Sequence, residues 1–322
     1  MKPAAFDYIV PGTVGEAVGA LAEAGERARI LAGGQSLILE MRCRRCLPEL
    51  VVDINRVQGL DRLRVEDGGL QVGALVRHRA FESPRVAPGP LGRLLSRTVV
   101  NIAHPPIRAL GTMAGSLAWA HPAAEWGAVA VGLDADIELR GRAGTRTVAA
   151  HDYFHGPHRT ECRPQEMITS VRLPLLDDTV GVAFVEHRRT RAGFAQVAVA
   201  VALTVLDGVI TQAFIGLANA ADRPVRAQVA ELSLIGAEIG ASLCGPALFG
   251  SAHFYPDSLD GHPFGHAARI AAEGDADPCA RPYADVEYQR QVVAVLVGRA
   301  LCQAASDRQA HAGHDGSAGE WR

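Results

Sequence analysis

Two long apolar segments, residues 196–206 and 209–218, are separated only by Asp207-Gly208. Two residues that tolerate positive φ, flanked by β-branched and small apolar runs, read as a tight hairpin between antiparallel strands. That hairpin commits the C-terminal half to a fold built on an antiparallel sheet. A third strand is expected over 182–186, and helices over 225–239 and 286–304 supply cover for the sheet. The N-terminal half follows a different pattern. Residues 6–10 read as a short strand, and Thr13-Val14-Gly15-Glu16 as a capping box that opens a helix. Val14, Ala17, Val18, Leu21 and Ala22 recur at helical spacing as far as Gly25. Buried strands over 29–32 and 49–54 complete a β-α-β unit.

Further strands are expected over 69–73, 136–140, 146–148 and 166–173, with helices over 91–99 and 125–133. Residues 101–123 hold Pro105, Pro106, Pro122, Gly111 and Gly115, and read as a structured loop. Residues 175–179 form a polar turn and a candidate boundary. The polar residues 306–322 read as a disordered tail. At about 150 residues per domain, 322 residues suggest two domains.

Composition excludes several function classes. The formal net charge of -3 gives no basic field for nucleic acid. Lys2 is the only lysine, so no phosphate-binding Walker loop is possible. No G-x-G-x-x-G follows an expected strand, and neither H-E-x-x-H nor G-x-S-x-G occurs. The six cysteines, without a visible secretory signal, read as reduced thiols. The longest apolar run, 197–203, is far short of the ~20 residues that cross a membrane. A soluble, cytoplasmic protein is the expectation.

Two loops carry the functional signal. The first is Leu31-Ala32-Gly33-Gly34-Gln35-Ser36-Leu37, between a strand and a helix. Paired glycines let the backbone approach a ligand, and successive N–H groups at a helix start make an anion nest suited to a pyrophosphate. The Gln35 amide and Ser36 hydroxyl are expected to add donors. The second runs from Ile107 to Leu117 through Arg108, Gly111, Thr112, Met113, Ala114, Gly115 and Ser116, and is followed by His121-Pro122 and Glu125. It again sets small residues beside hydroxyls, with an acid able to hold ribose hydroxyls.

These two motifs, in this order, resemble the FAD-binding medium subunit of the molybdenum hydroxylases, the family of carbon monoxide dehydrogenase medium subunits and xanthine dehydrogenase FAD-binding subunits. The likeness runs over about residues 3–305. Its later marks are Asp152-Tyr153-Phe154, Val171-Arg172-Leu173-Pro174, Gly216-Leu217-Ala218-Asn219 before Arg223-Pro224, and Tyr288-Gln289-Arg290. The resemblance implies an α+β fold: a two-part FAD-binding domain of the vanillyl-alcohol-oxidase (PCMH) type over 1–176, with parts about 1–57 and 58–176, then a C-terminal domain over 177–305 with a three-stranded antiparallel sheet and helices. It implies a cofactor-binding set of Ala32, Gly33, Gly34, Gln35, Ser36, Leu37, Thr112, Ala114, Gly115, Ser116, Glu125 and Phe194, with Phe194 standing where relatives set a Tyr against the isoalloxazine. No residue is implied as a catalytic acid or base, and no metal ligand.

The resemblance also implies a role. The chain carries FAD, takes electrons from [2Fe–2S] clusters of a small partner subunit, and passes them to an external acceptor. A large partner holds the molybdopterin cofactor, and the whole is a dimer of heterotrimers. The sequence departs from the family pattern at Ala114, where a glycine is usual, and at His121, where an Asp often precedes the proline. A positive φ at Ala114 would cost about 1 kcal/mol. Other readings stay open: a self-sufficient flavoenzyme using His104, His121 or His187 as acid or base, or a scaffold subunit without FAD. Cys43-Arg44-Arg45-Cys46 has the spacing of a redox dithiol, and His151, His155, His158 and Cys162 are spaced like ligands. A metal site wants four ligands, and the first pair has no second. Arg188, Arg189 and Arg191 form either a solvated face or a contact for an acidic partner.

Overall fold

The computed structural model describes residues 2–190, 193–239, 261–280 and 284–312. Arg191, Ala192, Cys244 and the tail beyond residue 312, His314 included, lie outside these. In chain order the elements begin with β1 (Asp7–Ile9), α1 (Val14–Ala24), β2 (Ala28–Leu31), α2 (Leu37–Arg42), β3 (Leu50–Asp53), β4 (Leu63–Glu66) and β5 (Gly69–Gly73). Then come α3 (Gly89–Val99), α4 (Pro105–Leu110), α5 (Met113–Trp119), α6 (Glu125–Gly132), β6 (Asp136–Gly141), β7 (Gly144–Ala149), α7 (Ala150–Tyr153), β8 (Phe154–Gly156), β9 (Arg159–Thr160) and β10 (Met167–Pro174). The last are β11 (Val180–Arg188), β12 (Ala195–Leu206), β13 (Val209–Ala218), β14 (Val225–Arg226), α8 (Gln228–Leu234), α9 (Pro263–Ile270) and α10 (Val286–Ala312).

The chain forms two compact units, and they are not divided by a single cut. The first comprises Met1–Glu82, Ile102–His121 and Asp134–Pro174; the second comprises Ser83–Asn101, Pro122–Leu133 and Leu175–Arg322. Helices α3 and α6 therefore belong with the C-terminal sheet, although they lie within the N-terminal half of the sequence.

In the first unit, β1, β3 and β2 form a parallel sheet with β3 in the centre. Parallel strands need a crossover, and α1 supplies one. Its start is the expected capping box: the Glu16 N–H donates to Thr13 Oγ1 at 3.2 Å, and Glu16 Oε2 accepts from Thr13 N at 3.3 Å. Ala17, Val18 and Leu21 form its buried face. A second sheet of order β4-β5-β10-β6-β7 is antiparallel throughout.

Residues 101–123, expected as a loop, contain two short helices. Pro105 and Pro106 occupy the first turn of α4, where a missing N–H costs nothing, so they start a helix rather than break one. Thr112 caps α5.

In the second unit, β11, β12, β13 and β14 form an antiparallel sheet. The sheet thus holds a short fourth strand beyond the three expected, and α8 begins after it. The Asp207-Gly208 turn has φ of 49° and 81°, the paired positive values of a hairpin turn that matches strand twist. Val197, Val199, Val201 and Leu203 on one face of β12 join a core with α8, α9 and α10. On the other face, Ala200 lies opposite Gly216 on β13, where a Cβ would stand 1.9 Å from the Ala128 carbonyl oxygen of α6. Helix α6 therefore seats on glycine, and a methyl at residue 216 would cost about 1–3 kcal/mol through overpacking. Cover on both faces explains why β12 is apolar without alternation.

Helix α10 runs to Ala312, so residues 306–312 are helical where a disordered tail was expected. The reason is Asp307, which is buried and accepts from Arg93 at 3.0 Å, from Arg97 at 2.5 Å and from the Val182 N–H at 3.1 Å. Among the described residues, no helix is long and apolar enough to cross a membrane.

Candidate cofactor site

The first glycine loop leaves β2 and enters α2. Gly34 has φ +71°, a conformation that side chains rarely adopt. The Gln35 Nε2 donates back to the Gly33 carbonyl at 3.0 Å. Gln35 thus braces its own loop with one of its two amide N–H donors. Ile38 N donates to the Gly34 carbonyl at 3.2 Å, closing the first turn of α2. Ser36 is the N-cap residue, and its hydroxyl makes no capping bond. The backbone N–H groups of Gln35, Ser36 and Leu37 meet no acceptor among the described residues. Three consecutive donors at a helix start remain for a ligand, as an anion nest requires.

The second loop links α4 to α5. Thr112 is buried, and its Oγ1 accepts from the Gly115 N–H at 3.0 Å. Its oxygen thus caps α5 as an acceptor, and Gly115 is a glycine because a Cβ there would lie 2.7 Å from that oxygen. Ala114 is not among the residues with positive φ; it is buried in the first turn of α5, so the alanine carries no backbone penalty. Ser116 is half-buried on the same helix.

The structure brings the two loops into contact. A Cβ on Gly33 would stand 2.2 Å from the Leu110 carbonyl oxygen and 2.7 Å from Gly111 Cα. Gly33 is a glycine because one loop's backbone lies against the other's. A third segment locks the second loop: His78 N donates to the Gly111 carbonyl at 2.9 Å, and Arg77 pairs with Thr112 as an isolated antiparallel bridge. His78 is buried, and burial first, then Arg108 and Arg77, pushes its pKa down to about 4. It is a neutral imidazole at physiological pH.

A polar network backs the loops. Tyr8 donates its hydroxyl to Asp53 at the end of β3. Asp53 accepts from Asn55 N at 2.9 Å and from Asn55 Nδ2 at 2.6 Å. Asn55 Nδ2 also donates to the Ala32 carbonyl at 2.8 Å. Arg77 donates to Asn55 Oδ1 at 2.7 Å and to the Leu110 carbonyl. None of Asn55, Arg77 and His78 stood out in the sequence. The one available signal was the position of Asn55, since polar residues just after the carboxyl end of a parallel strand such as β3 are placed where such sheets bind ligands.

Glu125 and Phe194 belong to the second unit. Glu125 opens α6 and is half-buried; burial first, and Glu186 second, push its pKa up to about 8. Glu186 itself is pushed up to about 7 by burial, which Arg188 partly offsets from 2.8 Å. Phe194, just before β12, is 62% exposed. Arg188 is no solvated charge, because it also donates to the Asn101 carbonyl at 2.9 Å.

The other singled-out residues do not converge. His151 pairs with Asp134 and Asp152, His155 with Glu161, and His158 with the Trp119 carbonyl. Among the described residues no three His, Cys, Asp or Glu side chains gather as a metal site. Cys43 and Cys46 are free thiols. His121 packs edge-on to His158, His187 bonds Tyr288, and His104 is the N-cap residue of α4.

Comparison with known proteins establishes the family. The family model described as FAD binding domain in molybdopterin dehydrogenase matches residues 4–176, and that of the CO dehydrogenase flavoprotein C-terminal domain matches residues 182–249. The chain belongs to the FAD-binding medium subunits of the molybdenum hydroxylases. Caffeine dehydrogenase subunit beta of Pseudomonas sp. is 36% identical over 244 residues, 76% of this chain and 82% of that one. The carbon monoxide dehydrogenase medium chain of Afipia carboxidovorans is 33% identical over 301 residues, 94% of this chain and 97% of that one. Reconstituted CO dehydrogenase from Oligotropha carboxidovorans superposes with a TM-score of 0.85 at 31% identity, over 95% of this chain and 100% of that chain. Membership makes this medium subunit an oxidoreductase component with an FAD-binding domain. Molybdenum and iron–sulfur cofactors belong to other subunits in such complexes. The residues present suit FAD: the first loop offers unpaired N–H donors, and the second lies in backbone contact with it.

Proposed function

We propose that this medium subunit holds FAD on its two glycine loops and serves as the electron-transfer member of a molybdenum hydroxylase. It accepts electrons from [2Fe–2S] clusters of a small subunit and delivers them to an external acceptor. A large subunit carries the molybdopterin cofactor, and the complex is a cytoplasmic dimer of heterotrimers. The observation that carries this reading is the backbone contact of Gly33 with Leu110–Gly111, beside the unpaired N–H groups of Gln35, Ser36 and Leu37.

Bound FAD supplies the redox chemistry, accepting and releasing electrons singly or in pairs. The chain's own residues bind and orient it. The N–H groups at the start of α2 hold the pyrophosphate, and Thr112 fixes the start of α5 so that Gly115 and Ser116 face the same group. Glu125, whose carboxyl is mostly protonated at neutral pH, acts as a hydrogen-bond donor to the cofactor without adding a negative charge. Phe194 supplies a planar cover for the ring system. With Lys2 as the only lysine, any cationic stabilisation comes from arginine or the backbone.

The test is a stopped-flow mixing experiment. The chemically reduced iron–sulfur subunit is mixed with this subunit carrying oxidised FAD, and flavin absorbance is followed. Bleaching of the flavin supports the role. A flavin that stays oxidised, or oxidation of an organic substrate by this subunit alone, refutes it.

A further inference from the structure

An anion nest works only if its N–H groups face the ligand and its carbonyls are turned away and occupied. In the first unit two loop carbonyls are occupied by one connected pair of side chains. Asn55 Nδ2 holds the Ala32 carbonyl at 2.8 Å in the first loop, and Arg77 Nη1 holds the Leu110 carbonyl in the second. The two side chains are joined by Arg77 Nη2 to Asn55 Oδ1 at 2.7 Å. Leu110 O is also the atom that a Cβ on Gly33 would strike, so Arg77 grips the point where the loops meet.

The orientation of this strap is determined. Asn55 Nδ2 faces two acceptors, the Ala32 carbonyl and Asp53 Oδ1, so its Oδ1 is left for a donor, which Arg77 provides. Asp53 is itself fixed by Tyr8 and by the Asn55 N–H. A guanidinium suits both acceptors from one side chain. Its planar fork addresses two acceptors at fixed geometry, whereas a lysine is one flexible point charge. Arg77 is half-buried, so its charge behind the loops is screened less than a surface charge.

We propose that Arg77 and Asn55 are positioning residues for the cofactor's diphosphate: together they clamp the two glycine loops at their contact and turn the Ala32 and Leu110 carbonyls away from the bound anion. This rests on the FAD reading above. Neither residue needs to touch the cofactor, and the clamp acts through the backbone of both loops.

The experiment uses the complex stripped of flavin and retitrated with FAD, and with ADP as a probe carrying only the diphosphate half. Wild type is titrated first, and failure to bind FAD there refutes the FAD reading itself. The variants are Asn55→Ala, Arg77→Ala, the double variant and Arg77→Lys, all measured well below their melting temperatures. Arg77→Ala is expected to weaken FAD and ADP by the same factor, roughly 10- to 100-fold, the worth of charge-assisted bonds of this kind. The double variant is expected to be little worse than Arg77→Ala, since the two residues act as one unit. Arg77→Lys is expected not to restore affinity. Wild-type affinities in Arg77→Ala, full rescue by lysine, or a loss confined to FAD with ADP unchanged would overturn the proposal.

Discussion

Gly33→Ala is the sharpest single perturbation the structure offers. The added Cβ would stand 2.2 Å from Leu110 O, 2.8 Å from Leu110 C and 2.7 Å from Gly111 Cα. These are backbone atoms, and Leu110 O is held from behind by Arg77, so no flexible side chain can yield. A C···O contact settles at about 3.3–3.6 Å, so the loops must part by about 1 Å. Overpacking of this kind costs about 1–3 kcal/mol. If FAD binding requires the loops to converge, the cost appears in affinity, as a rise in Kd of roughly 5- to 150-fold. Gly33→Val should retain no FAD through purification. Gly34→Ala is the contrast: its strain lies in φ +71°, while the nearest atoms, Ile38 Cγ1 and Leu31 Cδ1 at 3.2 Å, are side-chain ends that can shift. Its effect should be the smaller of the two, about 1 kcal/mol. The assay is fluorescence titration of the flavin-stripped subunit with FAD, beside a melting curve. A Gly33→Ala protein with wild-type Kd and wild-type melting would refute the reasoning.

Three further outcomes are expected. Asp307→Asn removes the buried charge that Arg93 and the 40% exposed Arg97 share, and should cost about 1–3 kcal/mol in denaturant unfolding, the worth of hydrogen bonds to a charged group with one partner open to solvent. Burial raises the Asp307 pKa, but bonds from Arg93, Val182 N and Arg97 outweigh it and hold the carboxyl below its ordinary value. Its stabilisation is therefore present at neutral pH and lost as pH falls through the acidic range, a loss absent from the Asn variant. Glu186 has the opposite sign. Its folded pKa, about 7, lies above the ordinary value of 4.5, so between those two pH values the folded state binds more protons and stability falls as pH rises, levelling off above about 7; melting from pH 5 to 8 should be flatter in Glu186→Gln. Phe194→Ala, at a 62% exposed position, should leave stability within about 0.5 kcal/mol while changing flavin absorbance or oxygen reactivity. An unchanged spectrum and oxidation rate would put Phe194 away from the ring.

The parts of the fold that were legible in the sequence are those decided locally. The Asp207-Gly208 turn and the Thr13–Glu16 capping box each need only a few adjacent residues, and both are present. The parts that were not legible depend on partners distant in sequence. Nothing near α3 or α6 says that they pack with a sheet that starts at Val180. Asp307 lies in a polar stretch that reads as tail, and its partners Arg93 and Arg97 are more than two hundred residues away. Pro105 and Pro106 were read as breakers because a proline at a helix start looks, in isolation, like one that ends a helix.

The candidate site divides in the same way. The glycine motifs were visible, but the reason Gly33 must be glycine is the Leu110 backbone. Two side chains expected to face the ligand, Gln35 and Thr112, also bond within their own loops, which the motifs alone do not show. The residues that hold the loops, Asn55 and Arg77, carry no local motif, because their role exists only once three separate segments meet.

The most direct test of the account is the flavin, iron and molybdenum content of this subunit isolated under native conditions from its own host by an affinity tag. The account predicts FAD on this chain, with iron and molybdenum arriving on two other chains. Recovery of the chain alone and without flavin would contradict it.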